Sequence, residues 1–311
     1  MKTREIVCEE LSLALDDLRR DGFRLDVIYP ADEPHTALLS KGGTRIRLTN
    51  RPGAPPVTGT LPAFAPRFTL TRASTSAGEG RAGMLYRDLV PDRLGGRYIA
   101  SHISIPEGGP VADWVHFHKI ALQLIYVRRG WVRVVYEGQG DPFVMHEGDL
   151  VLQPPEIRHR VLESSPGLEV IEIGAPALHE TFADHELVLP SGLDAERLFR
   201  GQKFHRHVAA ATPFTPFGSG EAQETGIAGA TGGLAAVRKI RAGAAGAIDF
   251  EPHDGELVLG VVLSGSAMID FEGTHALGDA DAFVIPPGAA WSLRDASADF
   301  GILHVTTARL D

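Results

Sequence analysis

The chain repeats itself, and the repeat limits its folds more than any other feature. Gly95-Gly96 ahead of the apolar run 97–105 returns as Gly232-Gly233 ahead of 234–240, an offset of 137. Gly130-Trp131 returns as Gly265-Ser266 at an offset of 135, and Pro154-Pro155 returns as Pro286-Pro287 at 132. Two copies of one unit therefore account for most of the 311 residues. Within each copy, short apolar runs alternate with Gly and Pro, a pattern that suits strands joined by tight turns and not long helices. The totals of 35 Gly and 21 Pro against 7% aromatic residues fit the same reading, and 43% hydrophobic residues can fill the cores of two β-units.

The charge balance restricts partners. A formal net charge of -10 with no basic run argues against nucleic acid, because phosphate recognition needs clustered Lys and Arg. The single Cys8 cannot form an intramolecular disulfide, and neither a charged-then-apolar leader nor an apolar stretch of about 18 residues is visible. The expectation is a soluble cytoplasmic protein with no membrane partner, a small-molecule substrate and a possible homodimer.

Before the repeats, residues 1–50 read as a small α/β module. Leu11, Leu15 and Leu18 share a helical face, and Gly22 stands where that helix should stop. Phe23, Leu25, Val27 and Tyr29 alternate as in a strand, followed by two further strand patterns around Leu38 and Ile46, and with a strand ahead of the helix the order is βαβββ. With the segment Gly22-Phe23-Arg24-Leu25-Asp26, this order resembles one half-module of the vicinal-oxygen-chelate (glyoxalase-like) superfamily, without its metal ligands. A module this small leaves a sheet edge to cover and should dock on the rest of the chain or on a second subunit. Residues 51–66 are a Pro-rich linker, 67–175 the first repeat, 176–215 a connector and 216–311 the second repeat. In the connector we expect a strand over 186–189, a helix over 193–199 capped near Ser191, and a solvent-exposed His205-Arg206-His207.

The first repeat carries the chemistry. His116 and His118 fall on the same side of a strand, as two imidazoles must to share an ion, and His159 follows the turn residues Gly148, Asp149, Pro154 and Pro155 as a distant third imidazole. Gln123 lies five positions after His118 and Gly130 seven after that. Three imidazoles suit Fe, Mn, Co, Ni, Cu or Zn and not Mg or Ca.

His116, His118, Gln123 and Gly130, followed by Gly148, Pro154, Glu156 and His159, resemble the two motifs of the cupin superfamily. Gln123 stands where that family usually has Glu, and Glu156 where it has the turn Gly. The resemblance spans roughly 85–175 and 222–307. It implies a mainly β fold of two tandem jelly-roll barrels behind the βαβββ module, with one divalent transition metal (Fe, Zn, Mn or Ni) in the N-terminal barrel, held by His116, His118, Gln123 and His159.

A Gln ligand leaves the ion its full dipositive charge, which favours Lewis-acid work. Aligning the second repeat on Gly265 puts Glu251 and His253 at the His-x-His positions and Val258 at the Gln position, and aligning on Pro286 puts Trp291 at the third His. Val and Trp cannot ligate, so that barrel should hold no metal. Candidate substrate contacts are Arg97 and His102, which have opposite parity so that at most one points inward, and Ile125 and Val127, which share the parity of Gln123. Tyr126 and Arg128 should face away.

The leading functional expectation is a mononuclear Fe(II) dioxygenase of a small aromatic or carbonyl compound, since a two-barrel chain with one equipped barrel resembles gentisate-type ring-cleaving enzymes. The alternative, suggested by Gln123 and its similarity to uronate-processing and polyketide-cyclase cupins, is a redox-neutral isomerase, cyclase, lyase or hydrolase using Zn, Mn or Ni. The third is a non-catalytic small-molecule sensor. The sequence identifies no proton-transfer residue.

Overall fold

Strand period alone sends Gln123, Ile125 and Val127 to one face of strand Leu122–Arg129 and Leu122, Leu124 and Tyr126 to the other. In the computed structural model, which describes residues 3–54, 56–80 and 83–310, the two faces meet different surroundings. Ile125 and Val127 belong to the interior of the first barrel with Val132, Val134 and Met145. Leu122, Leu124 and Tyr126 pack with Leu259, Val261 and Leu303 of the second barrel in one continuous apolar core. Each repeat contributes a seven-stranded sheet to this junction, and a second sheet closes each barrel on its far side. The mainly β, two-barrel jelly-roll expectation thus holds, because runs that are apolar on both faces can only be sheets buried on both sides. No described helix is long and apolar enough to cross a membrane.

The N-terminal module has the expected order: β1 (Thr3–Val7), α1 (Leu11–Arg20), β2 (Arg24–Tyr29), β3 (Thr36–Lys41) and β4 (Thr44–Thr49). Leu11 and Leu15 are buried against Leu25, Ile28 and Leu39. Gly22 takes φ 85°, a left-handed conformation that costs a residue without Cβ little, and its N–H closes the helix on the Arg19 carbonyl at 2.9 Å. The edge of β2 is covered by strand Thr181–Ala183, with Thr181 opposite Ile28 and Phe182 opposite Val27. That strand in turn pairs with His116–His118, so the module and the histidine strand share one ten-stranded sheet.

Two short strands pair outside their own stretch of sequence. Thr69–Thr71, at the start of the first repeat, pairs with Ala282–Ile285 of the second. His205–His207 pairs with Leu150–Leu152 of the first barrel, with His207 opposite Leu150. The expectation of a solvent-exposed His205-Arg206-His207 is therefore corrected, since His207 is buried. The connector also lacks the expected strand over 186–189 and helix over 193–199. Val188 and Leu193 are 79% and 74% exposed, and Phe199, which is buried, sits in the short strand Leu198–Phe199 paired with Gln202–Lys203, so 193–199 has no helical apolar face to bury, and short helices draw most of their stability from such burial.

Candidate metal centre

The histidine strand lies between two neighbours: Thr181–Ala183 on one side and His159–Ser164 on the other, with His116 directly opposite His159. Alternation turns Phe117 to the outer face, where its ring stacks on Phe182 at 5.0 Å and carries the Arg158 guanidinium at 4.0 Å. His116 and His118 turn inward to His159, and all three are buried. One ring nitrogen from each lies within 4.8 Å of the others, the kind of convergence that three ligands to one ion need. Gly148 takes φ 88° in the turn before strand Leu150–Leu152, and Glu156 takes φ 66° where a glycine would be easier; the Glu156 carboxylate is held by Arg200 at 2.6 Å.

Tautomers are set from outside the cluster. His116 Nδ1 donates to the Trp114 carbonyl at 2.7 Å and His159 Nδ1 to the Ile157 carbonyl at 3.0 Å. His118 Nδ1 is 3.3 Å from the Thr181 hydroxyl. Since a carbonyl can only accept, Nε2 of His116 and His159 is the lone-pair nitrogen in the neutral ring, as metal ligation requires. Asp113 reinforces His116: one carboxylate oxygen is 3.5 Å from Nδ1, and the other accepts from the Val161 N–H at 2.9 Å. The donor set and its outer partners thus fit a divalent transition metal.

Gln123 is buried beside the three rings as part of a polar relay that the sequence did not suggest. The Tyr136 hydroxyl donates to Gln153 Oε1 at 2.7 Å, Gln153 Nε2 donates to Gln123 Oε1 at 3.0 Å, and Gln123 Nε2 donates to Glu172 Oε1 at 2.6 Å. Gln153 Nε2 also lies 3.3 Å from His159 Nε2. Burial holds the Tyr136 phenol far above its ordinary value, so the chain starts from a fixed donor, and its ring stacks on His159 at 5.5 Å. Glu172 comes from strand Leu168–Ala175, opposite Ile125. The pairing makes it face the same interior as Ile125, but only once the register across the sheet is known. Tyr136, Gln153 and Glu172 are the site residues that sequence reasoning missed; parity combined with a correct strand alignment could have found the last.

A cavity with about 90 Å³ of space for the centre of a water-sized molecule opens against the histidines. Its polar lining is the three imidazoles, Gln123, Gln153, Tyr136 and Glu172, and its walls include Met84, Ile103, Ile125, Met145 and Ala31 of the N-terminal module. Ile125 is therefore where parity puts it, while Val127 is packed in the barrel core outside the cavity lining.

Arg97 and His102 also lie outside it, which corrects their assignment as substrate contacts. Arg97 precedes strand Ile99–Ile105 and forks onto the carboxylate of Glu256 at 2.9 and 2.7 Å, across the barrel junction. His102 Nε2 is 2.9 Å from Glu169, and burial together with the nearby Arg87 lowers its pKa below the ordinary histidine value. Arg128 faces away as expected, held by Glu169 and by Asp279 at 2.5 Å.

In the second barrel, strand pairing revises the alignment made by counting residues. Phe250 is opposite Trp291 as His116 is opposite His159, so Phe250, not Glu251, holds the first histidine position. Val258 pairs with Ile285, and Gly260 with His304, so Ile285 stands in the place of Gln153 and His304 in that of Glu172. Phe250 and Trp291 stack at 3.8 Å, and the Phe283 ring occupies the space a Cβ on Gly260 would need. Aromatic rings fill this interior.

His304 is buried beside those rings, and its pKa is pushed down to about 3, chiefly by burial and then by Arg238 and His253. In the unfolded chain the imidazole takes up a proton as pH falls through about 6.5, whereas in the folded state it does so only near 3. Its contribution to stability is complete above about pH 6.5 and declines below that, at up to about 1.4 kcal/mol per pH unit. Urea unfolding of His304→Leu should show a flatter acid limb between pH 6 and 4, to about that extent; an unchanged slope rejects the assignment.

No family model and no curated protein matches the chain. Solved structures do. A deletion variant of Bacillus subtilis oxalate decarboxylase superposes with a TM-score of 0.58 at 13% identity, covering 82% of this chain and 81% of that one. The oxalate decarboxylase structure at pH 4.6 gives 0.57 at 12%, covering 82% and 79%. Protein Ylba from E. coli gives 0.52 at 11%, covering 78% and 90%. Identities this low speak to fold and not to activity. Repeat, barrel pairing and superposition agree that the chain has the two-barrel cupin fold, with a histidine cluster suited to a metal in its first barrel.

Proposed function

We propose that the protein is a metal-dependent enzyme that moves a proton on a small oxygen-bearing molecule without net oxidation. The observation that carries this reading is Glu172, a carboxylate lining the same cavity as the histidines and hydrogen-bonded to the neutral amide of Gln123. A divalent metal (Mn, Zn, Ni or Fe) held by His116, His118 and His159 supplies Lewis-acid polarisation of a substrate oxygen. Gln123 holds Glu172 in place, and Gln153, fixed by Tyr136, holds Gln123. Glu172 is then the group that accepts or returns the substrate proton.

A ring-cleaving dioxygenase is the second reading. It is favoured by the engagement of the Gln123 carbonyl oxygen with Gln153, which leaves three histidines as the natural ligand set. Metal analysis of protein purified without added metal, with an oxygen electrode, separates the two: O₂ uptake matched to Fe(II) supports the oxygenase and overturns proton transfer. For proton transfer itself, NMR should show deuterium entering the carbon beside the carbonyl of a small ketone. Glu172→Gln should slow that exchange by about 100-fold or more with metal content unchanged.

A further inference from the structure

Resting on the reading above, we infer that the cavity takes an uncharged, largely apolar ketone, enol or acyloin, bound by one oxygen-bearing end, and rejects dicarboxylates. Apart from the Tyr86 hydroxyl, its polar groups form one connected cluster: the three converging imidazoles and the hydrogen-bonded series Tyr136, Gln153, Gln123 and Glu172. The rest of the lining is methionine, isoleucine, leucine and valine, with the Tyr86 ring and the Ala31 methyl. A pocket of this kind positions one polar head and solvates nothing else.

Charge makes the distinction sharp. Among the described residues lining the cavity there is no Lys or Arg, and the one carboxylate is Glu172. Three guanidinium groups of the surrounding elements are committed elsewhere: Arg97 to Glu256, Arg128 to Glu169 and Asp279, Arg158 to Asp184 and the Phe117 ring. On the module side, Arg93 engages Asp32 and Asp88, so the residue next to Ala31 brings an ion pair and not an available charge. A metal-bound head group could be an anion, since the ion balances it. A second carboxylate would be stripped of water against Ile125 and Met145 with no cation to receive it, and Glu172 would repel it. Area-driven burial of an alkyl tail meets no such opposition.

The test is isothermal titration of the metal-loaded full chain with butyroin, an uncharged acyloin, and with 2-oxoglutarate, two ligands that offer the metal adjacent oxygens and differ in carrying an alkyl tail or a distal carboxylate beyond it. Butyroin should bind about 100-fold more tightly or better. Glu172→Gln should narrow that ratio about 10-fold by removing the repulsion, and Ile125→Arg should narrow it further by adding the missing cation. 2-Oxoglutarate binding as tightly as butyroin, or no saturable butyroin binding while the metal stays bound, overturns the inference. The functional reading fails on different results, namely loss of proton exchange or the appearance of O₂ uptake, so the two can be rejected separately.

Discussion

Replacing His118 with Ala should lower metal affinity by at least about 100-fold and leave the purified protein with little bound metal. Even outer partners of metal ligands are worth about 10–100-fold, and a ligand is worth more. His118 sits on a strand that is hydrogen-bonded on both sides and keeps its backbone partner Thr181 in the variant, so the barrel should remain folded. Far-ultraviolet circular dichroism should be unchanged while metal content by mass spectrometry falls. Gln153→Ala provides the comparison: it leaves the three imidazoles and their Nδ1 partners in place and removes the donor that holds Gln123, so its loss of affinity should not exceed about 10-fold. Full metal content in His118→Ala would mean that the cluster is a packing feature.

The largest effect on stability should come from Arg97→Ala. The guanidinium forks onto Glu256 with side-chain exposures of only 9% and 6%, and it also donates to the carbonyls of Pro62 at 3.0 Å and of Leu310. Glu256 further accepts from the Tyr98 hydroxyl at 3.0 Å. Truncation leaves a buried carboxylate with no cation at the junction of the two barrels, a change that typically costs about 3–5 kcal/mol. Urea unfolding should register that loss. Arg97→Met with Glu256→Leu, which removes both charges, should recover more than half of it. A loss below about 1 kcal/mol would show that the pair is screened and the barrels are held by apolar contact alone.

These two predictions also mark where the sequence was legible. His116 and His118 are two apart on one strand, and His159 follows turn residues that announce themselves, so local periodicity and spacing were enough. Arg97 was misread because its partner is 159 positions away in the other barrel, and a lone charge near a strand does not reveal which surface it will meet. His102 has its carboxylate 67 positions away. The second barrel was aligned one residue off at its first histidine position, because glycine and proline landmarks fix turns while a single-residue difference in loop length changes which side chain faces inward.

By itself, then, the sequence determined two copies of one β-unit, the module ahead of them and the three imidazoles, which follow from self-similarity, strand and helix periodicity and turn chemistry, while the jelly-roll form of each copy was implied by the resemblance to cupins. Only the tertiary structure decided that Glu172 shares the cavity, that Gln123 is tied to Gln153 as well as to Glu172, and that Arg97 fastens one barrel to the other. Those contacts depend on register between strands far apart in the chain. Register is settled by packing the whole core, not by any segment of it.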